Sequence, residues 1–390
     1  MCTSTRPAAR DRDERRAPAP RTVGTTADDH VEAYVVKPGR FVVDTHVHVQ
    51  RFAAGPRLKE SGALELSGGA QWEALGEAIL DLVPYDNSGR LLDDMDRYGV
   101  DACVLLPAFG MNNEINADLV ERHPNRFAAL CYPVEHQKRI DEGEDEWTIE
   151  AVCEELDRLL YTGRFVGIGE GMPYMPHPPD AREVIDHETA IGNCLAVMEV
   201  ARRHGVCVKI HTGWAMGYAA SYSTTKGRRG PLNLHPLLAH DLAAAFPDVP
   251  IVFDHGGVQG WWSEKLQEEC LHVAAAHDNV YLECGLWWRE LFERALADPN
   301  VGADKLMWGT DWGASLPFHG QPGRTPPSYP LQIRRDGMPA HQIDFWGWSF
   351  RELWGLRIPQ DDLNLILGGN AARVYGLHAP LDRLFRERRV

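Results

Sequence analysis

The chain has 390 residues, enough for two or three domains of about 150 residues each or for one larger domain with insertions. Asp and Glu total 56 against 40 Lys and Arg, and the net charge of −16 disfavours binding to nucleic-acid phosphates or to acidic membrane surfaces. No apolar run is long enough to predict a membrane-spanning helix. The eight cysteines are scattered without a CxxC pair, which predicts buried free thiols in a reducing compartment. We therefore expect a cytoplasmic protein that acts on a small molecule.

The first 30 residues are rich in Arg, Ala, Pro and Thr and offer little apolar surface to bury. This composition predicts a disordered tail over residues 1–30. The remaining residues, 31–390, are expected to form a single domain.

From Phe41 onward, short runs rich in Val, Ile and Phe alternate with longer stretches of helical spacing. Such apolar runs are typical of strands that are buried on both faces. The predicted strands are 41–49, 100–107, 127–134, 165–171, 206–213, 250–257, 280–285 and 305–313. Predicted helices between them include 88–99, with Ser88 as the N-cap and Gly99 as the end, and 187–205.

Alternating strands and helices require a parallel sheet with right-handed crossovers. Eight repeats favour an α/β fold closed as a (β/α)8 TIM barrel, and no GxGxxG motif follows the first strand to favour a dinucleotide-binding sheet. Two long insertions, about 50–87 and about 316–350, follow the first and eighth strands. Both leave the carboxyl ends of strands, where barrel enzymes build their sites, so we expect them to be lids.

Ionisable side chains stand within a residue or two of five predicted strand ends. Two histidines at positions i and i+2 of one strand point to the same side and can bind one ion. Taken singly, the HxH pair could be incidental, and Asp311 could cap the next helix. Taken together, these residues predict a metal site for zinc, iron or manganese, since the donors are imidazoles and carboxylates without sulfur. The predicted ligands are His46, His48, Glu170, His211, His255 and Asp311.

Tryptophans follow several of the same strands. They predict an apolar mouth for a bulky ring system, or they pack in the core. Arg228 and Arg324 lie in basic stretches of two loops that could receive a carboxylate or phosphate, or could be solvated loop charge. The tryptophans in question are Trp214, Trp261, Trp262, Trp287, Trp288 and Trp312.

The ordered set of HxH, strand-5 His, strand-6 His and strand-8 Asp resembles the amidohydrolase superfamily. The motifs "DTHVH", "KIHTGW", "FDHGG" and "WGTDW" are similar to its metal-dependent hydrolase and decarboxylase branch, which includes aminocarboxymuconate-semialdehyde decarboxylase. The closing segment 365–377, "LILGGNAARVYGL", resembles the C-terminal helix signature of that branch. The resemblance covers nearly all of 41–378 and implies a metal-dependent barrel enzyme that forms a homodimer.

Glu170 departs from the mononuclear decarboxylases of this branch, which generally lack a carboxylate at the end of the fourth strand. In binuclear members a carboxylated lysine or a glutamate bridges two ions from this position. The resemblance then implies that His46, His48 and Asp311 hold one ion, that His211 and His255 hold the other, and that Glu170 bridges them. The alternative is one ion, with Glu170 beside it and His255 orienting the water.

The first functional hypothesis is a hydrolase in which a metal-bound hydroxide attacks an acyl carbonyl of a thioester, ester or amide. Asp311 would take the water proton and deliver it to the leaving group, with His255 beside it. Basic loops next to an apolar mouth favour an acyl-CoA thioester, as in superfamily thioesterases of secondary metabolism that act on bulky terpenoid acids. The alternative is a non-oxidative decarboxylase of an aromatic or muconate-type acid.

A third hypothesis, a non-catalytic metal-binding regulator, requires further ligands that fill the open metal positions. Asp44, Glu283 and His319 are the remaining candidates near the mouth. We expect Asp44 to orient a ligand histidine instead.

Overall fold

The computed structural model describes residues 34–37, 40–54, 82–107, 111–173, 187–212, 236–258, 263–313, 345–378 and 385–388. The predicted tail over 1–30, most of both predicted insertions and the two basic loops lie outside these ranges. The chain divides into a small unit, residues 1–36 with 386–390, and a large unit, residues 37–385.

Short strands alternate with helices along the large unit, as the apolar runs predict. The strands in the described ranges are β1 (Tyr34–Lys37), β2 (Val43–Val47), β3 (Gln50–Ala54), β4 (Leu82–Asp86), β5 (Ala102–Leu105), β6 (Phe127–Ala129), β7 (Gly167–Ile168), β8 (Cys207–His211), β9 (Ile251–Asp254), β10 (Val280–Glu283), β11 (Leu306–Met307) and β12 (Phe385–Arg388). Each of the eight predicted runs contains one of these strands.

The helices of the described ranges follow the strands in the expected order. They are α1 (Ser88–Tyr98), α2 (Asn113–Arg122), α3 (Val134–Asp141), α4 (Ile149–Tyr161), α5 (His187–His204), α6 (Ala239–Ala245), α7 (Ser263–Ala276), α8 (Arg289–Ala297), α9 (Phe345–Gly355), α10 (Gln360–Asn364) and α11 (Asn370–Tyr375). Short 3-10 turns precede α6 and β11 and follow β9, and a π-turn over Leu365–Gly369 joins α10 to α11. None of these helices combines the length and the apolar character of a membrane span.

The eight strands that correspond to the predicted runs are parallel and follow one another in chain order. β2, β5 and β6 form one ladder, and β7 to β11 form the other. The Cys131 amide donates to the Gly167 carbonyl across one seam at 3.0 Å, and the His48 amide donates to the Trp312 carbonyl across the other at 2.7 Å. The fold is the predicted (β/α)8 architecture, with its two ladders joined by single bridges at the seams.

The strands are shorter than their predicted runs, because the residues at the carboxyl ends leave the ladder to form the site. The run 165–171, for example, keeps only Gly167–Ile168 as strand. The predicted N-cap at Ser88 is wrong by one residue: Asn87 occupies the cap position, and Ser88 begins the helix. Gly99 ends α1 in a left-handed conformation with φ of 70°, as expected.

The first insertion begins and ends in an antiparallel pair, in which Gln50 of β3 lies opposite Asp86 of β4. Helix α9 contains the last residues of the second predicted lid. Trp346 and Phe350 of this helix are buried in the core at 2% and 4% exposure, so any lid has to end before α9. The described cysteines are free thiols, and all but Cys153 are buried.

Candidate metal centre

The HxH pair stands at the end of β2, and neighbouring acceptors fix the direction of both rings. His46 Nδ1 lies 2.7 Å from Oε2 of Glu283, and His48 Nδ1 lies 3.1 Å from the carbonyl oxygen of Leu106. An ionised carboxylate and a carbonyl can only accept, so each Nδ1 carries the hydrogen. The Nε2 atoms, 3.1 Å apart, are thereby directed to one point inside the barrel mouth.

Asp311 completes a triangle of donor atoms with this pair. Its Oδ1 lies 3.2 Å from His48 Nε2 and 3.5 Å from His46 Nε2. Two ligand atoms at about 2.1 Å from one zinc ion are roughly 3.0–3.4 Å apart when the angle at the ion is about 90–109°. The three separations are close to this range, and the donor set therefore fits a divalent ion.

Glu170, just beyond β7, places its carboxylate between two groups of histidines. Oε2 lies 3.2 Å from His48 Nε2, while Oε1 lies 3.7 Å from His46 Nε2 and 3.3 Å from His211 Nε2. His211 ends β8, so Glu170 joins the donors of β2 to those of the neighbouring β8. One carboxylate with an oxygen on each side is the arrangement that could bridge two ions.

His255 follows β9 and lies over the other rings. Its ring is stacked on His46 at a centroid distance of 4.7 Å and meets His211 edge-on at 4.9 Å. It is fully buried, and neither ring nitrogen has a hydrogen-bond partner in the described part of the chain. Buried imidazole nitrogens normally have partners, so these two orphaned atoms point to a ligand at this position.

The backbone at two predicted ligands lies in the left-handed region. His255 has φ of 61° and Asp311 has φ of 60°. Non-glycine residues adopt this region at some cost and do so most often at functional sites. The positive φ turns the backbone abruptly after β9 and after β11. This turn keeps the side chains of His255 and Asp311 over the mouth.

A buried charged network lies beneath these donors. Two of its members, Lys209 and Asp254, were not predicted from the sequence. The ammonium of Lys209 is 2.8 Å from both Oδ1 of Asp254 and Oε1 of Glu283, and all three side chains are fully buried. A Cβ atom at Gly309 would come within 2.3 Å of the Glu283 carboxylate, so only glycine leaves room for it there. The available signal for Lys209 was its position two residues before His211, on the same face of β8.

Nearby carboxylates raise the pKa values of both histidines of the HxH pair. Burial alone lowers the pKa of His46, but the charge of Glu283 outweighs it and raises the pKa to about 9. Burial also opposes protonation of His48, yet the charge of Glu170 and a hydrogen bond to Asp311 raise its pKa to about 10. A cation is therefore strongly favoured at this point, whether it is a proton or a metal ion.

The pKa of His255 is shifted in the opposite direction. Burial, followed by the charge of His46, lowers its pKa to about 3. Burial raises the pKa of the Glu170 carboxyl, but the charge of His48 dominates and holds that pKa well below the usual range. The centre thus combines ionised carboxylates with a neutral imidazole at His255, which is the ligand form that binds metal ions.

Asp44 supports the pair through the backbone. Its Oδ1 accepts from the amide of His46 at 3.0 Å, and its Oδ2 accepts from the indole N–H of Trp346 at 2.6 Å. Asp44 also accepts from the amide and hydroxyl of Thr310 at 3.0 and 2.5 Å. The side chain expected to orient a ligand histidine therefore holds the main chain of His46, and Glu283 holds its ring.

The predicted substrate contacts divide into three groups. Trp287 is fully buried, and its indole N–H donates to the carbonyl of His255 at 2.9 Å, so this side chain supports the centre from the core. Trp288 and Trp312 are partly exposed beside the core, and Trp312 lies 3.3 Å from Asp94. Trp214, Trp261, Trp262, Arg228 and Arg324 lie outside the described residues, and so does the candidate ligand His319.

Comparisons with known proteins agree with this fold. The amidohydrolase family profile matches residues 43–377, and the chain therefore belongs to the amidohydrolase family. It is an enzyme of that family, which is generally metal-dependent. No curated protein matches the sequence.

Two solved structures share the fold at low sequence identity. The 5-carboxyvanillate decarboxylase LigW from Sphingomonas paucimobilis has 14% identity and a TM-score of 0.50, over 87% of this chain and 100% of that one. An amidohydrolase from Burkholderia multivorans with bound HEPES has 12% identity and a TM-score of 0.50, over 87% and 100%. These similarities concern the fold alone.

Proposed function

We propose that this protein is a two-metal hydrolase that cleaves a thioester, ester or amide of a bulky hydrophobic carboxylic acid. The position of Glu170 carries the proposal. Its two oxygens face different histidines, His48 on one side and His211 on the other, at 3.2 and 3.3 Å. A carboxylate that served a single ion in the His46, His48 and Asp311 triangle would have no need to reach His211.

The net charge of the buried side chains also supports two metal ions. When all are ionised, five carboxylates and one ammonium leave four negative charges, which two divalent cations would neutralise. These groups are Asp44, Glu170, Asp254, Glu283, Asp311 and Lys209, of which Glu170, at 15%, has the most exposed side chain. Uncompensated charge at this depth is costly, so a second cation is favoured electrostatically.

Zinc, iron or manganese ions, when bound, would supply Lewis-acid activation of a water molecule and of the acyl carbonyl. In the metal-free chain burial opposes the ionisation of Asp311, but the charge of His46 and a hydrogen bond from His48 keep its pKa below the usual value, so the side chain is a carboxylate. It can therefore accept the proton of the attacking water and return it to the leaving group. His255 is neutral and buried, and its two unpartnered ring nitrogens leave it available, with His211, to hold the second ion.

The substrate class follows from the surroundings of the centre. Trp288 and Trp312 are partly exposed aromatic side chains that follow β10 and β11, and they suit a bulky apolar acyl group. The basic loops with Arg228 and Arg324 would receive the phosphates of an acyl-CoA thioester. We place such an enzyme in the cytoplasm as a homodimer.

Decarboxylation of an aromatic or muconate-type acid is the second candidate. It is favoured by the triangle of His46, His48 and Asp311, which can hold one ion without Glu170. In that reaction His46, His48 and Asp311 would hold the ion, which would supply a Lewis acid for the substrate carboxylate, and His211 and His255 would contact the substrate.

The experiment is to replace Glu170 with Gln and to measure metal content and turnover together. The substitution keeps the shape of the side chain and removes its charge. We expect metal content to fall from about two ions per chain toward one, and hydrolysis of a p-nitrophenyl ester or acyl-CoA panel to fall by roughly a hundredfold or more. Elemental analysis of protein purified without added metal gives the wild-type value.

Glu268→Gln serves as the matched control, because Glu268 is an exposed glutamate on α7. Its metal content and turnover should equal those of the wild type. One ion in the wild type, unchanged in Glu170→Gln, together with release of carbon dioxide from aromatic acids, would replace the hydrolase with the decarboxylase.

A further inference from the structure

Lys209 is an unusual residue for the interior of a barrel. Its side chain is fully buried, and its ammonium lies 2.8 Å from each of three oxygens: Oδ1 of Asp254, Oε1 of Glu283 and the carbonyl of Thr45. An ammonium has three hydrogens to donate, and three acceptors surround it. The ion is therefore held in one position rather than at the end of a free side chain.

This ammonium lies against a potential cation site. His46, Asp254 and Glu283 offer three donor atoms within 4.8 Å of one another, which is the spacing of a metal-binding group. His46 Nδ1 is 3.8 Å from Asp254 and 2.7 Å from Glu283. Lys209 contacts both carboxylates of this group. The positive charge that the group needs is therefore already supplied by the chain.

Glu283 is the residue that connects this inner group to the metal centre. Its Oε1 accepts from Lys209 and, at 2.9 Å, from the hydroxyl of Thr45. Its Oε2 accepts from the ring of His46 at 2.7 Å and from the amide of His255 at 3.1 Å. Four donors on one carboxylate leave it little freedom to rotate, and two of the four belong to predicted metal ligands.

We propose that Lys209 and Glu283 form a positioning pair: Lys209 acts as a built-in cation that excludes metal ions from the inner carboxylates, and Glu283 holds the His46 ring with Nε2 toward the metal centre. Without the ammonium, Asp254 and Glu283 would bind a divalent ion themselves and draw His46 Nδ1 toward it. The pair thus restricts metal binding to the barrel mouth. This inference rests on the proposed function for the identity of the centre.

Metal content at matched free zinc tests the first half of the proposal. Lys209→Met keeps the length of the side chain and removes its charge. We expect this variant to bind one more zinc ion per chain than the wild type, whatever the wild-type number is, and to regain in zinc the thermal stability that it loses in chelator. The double variant Lys209→Met/Glu283→Gln removes one negative charge as well, and we expect the additional ion to disappear.

Lys305→Met is the matched control. Lys305 is also buried, at 9% exposure, but its ammonium donates to the carbonyls of Ala274 and His277 and not to a carboxylate. This variant should bind no additional ion. Wild-type zinc content in Lys209→Met, or an additional ion in Lys305→Met, would overturn the role of Lys209 as a resident cation.

Glu283→Gln tests the second half and does not depend on the folding of Lys209→Met. The amide can either accept from His46 or donate to it, so the ring direction is no longer fixed. Loss of an outer partner of a metal-bound histidine typically costs about 10–100-fold in affinity. We expect such a loss in competition with a zinc chelator, and an altered visible spectrum after cobalt loading. Wild-type affinity with an unchanged cobalt spectrum would overturn the positioning role.

Failure of the proposed function and failure of the positioning pair give different results. If the wild type binds no metal, the proposed function fails, whereas Lys209→Met should still gain one ion. If the wild type binds two ions and Lys209→Met also binds two, the metal centre stands and the positioning pair is wrong.

Discussion

The ring nitrogens of His46 and His48 show how single atoms prepare the centre. Each Nδ1 donates to a fixed acceptor, Glu283 in one case and the Leu106 carbonyl in the other, so both Nε2 atoms face Asp311 and Glu170. In the metal-free protein the same carboxylates attract protons to these rings. A metal ion must therefore displace protons before it binds.

At the residue scale we predict proton release on metal uptake. The pKa values of about 9 for His46 and about 10 for His48 mean that the metal-free site carries protons at pH 7. Zinc binding at pH 7 should release at least one proton per chain, and the affinity should rise with pH. Calorimetry in buffers of different ionisation enthalpy measures this number, and zero protons released would contradict the assignment.

The same shifts set the pH dependence of stability. Both histidines have folded-state pKa values above their ordinary value of 6.5, so protonation stabilises the metal-free fold fully below about pH 6.5. This contribution is lost as the pH rises through 9 to 10. The metal-free protein should thus lose thermal stability over this window more steeply than the metal-loaded protein. Melting temperatures of both forms across this pH range measure the difference, and the metal-loaded form serves as the control.

Helix α9 illustrates how one element reaches the site. The indole N–H of Trp346 donates to Asp44 at 2.6 Å, and Asp44 accepts in turn from the amide of His46. Burial raises the pKa of Asp44 to about 6 despite these donors, which favour its ionised form. The helix that ends the second insertion is therefore tied to the base of the HxH motif.

At the element scale we predict that Trp346→Phe destabilises the protein by about 1–3 kcal/mol, because a buried carboxylate loses a donor. The loss should be larger at pH 8, where Asp44 is ionised, than at pH 5, where it is mostly protonated. Trp354→Phe on the same helix is the control, since Trp354 is half-exposed and its replacement should cost less than about 0.5 kcal/mol. Chemical denaturation at the two pH values measures both, and equal losses for the two variants would assign no role to the indole donor.

The whole barrel contributes to the centre, because its donors come from the ends of five strands. β2 supplies His46 and His48, and β7, β8, β9 and β11 are followed or ended by Glu170, His211, His255 and Asp311. Metal ions bound among them would connect strands of both ladders across the seams. A ligand that binds only the folded state stabilises it in proportion to the logarithm of its concentration over Kd.

At the scale of the molecule we predict that chelation lowers the melting temperature by several degrees. An ion at about 1,000 times its Kd contributes about 4 kcal/mol, and 1 kcal/mol shifts Tm by about 2–4 °C in a domain of 150–250 residues, with a smaller shift expected in a larger one. His46→Ala and His211→Ala should lose metal, activity and this chelator sensitivity while remaining folded. His272→Ala, an exposed histidine on α7, should keep all three. Full metal occupancy in His46→Ala and His211→Ala would mean that the site is misplaced.

The sequence alone was sufficient for the architecture, and it named six side chains that the structure brings to one place. Apolar runs that are buried on both faces, such as 250–257, identify parallel strands because no alternation is needed where helices cover the sheet. Donors at strand ends identify a site because all parallel strands end at the same face of a barrel. The six predicted ligands accordingly lie together in the structure.

Only the tertiary structure decided which atoms face each other. Lys209, Asp254 and Glu283 are separated by up to 74 residues, and no local pattern distinguishes a lysine that faces two carboxylates from one that reaches solvent. Trp346 resembles a lid residue in sequence because it follows a long insertion, and its burial against Asp44 depends on a contact between residues 302 positions apart. Periodicity reports which face a residue occupies, whereas pairing and depth depend on the packing of distant strands, which a local pattern does not encode.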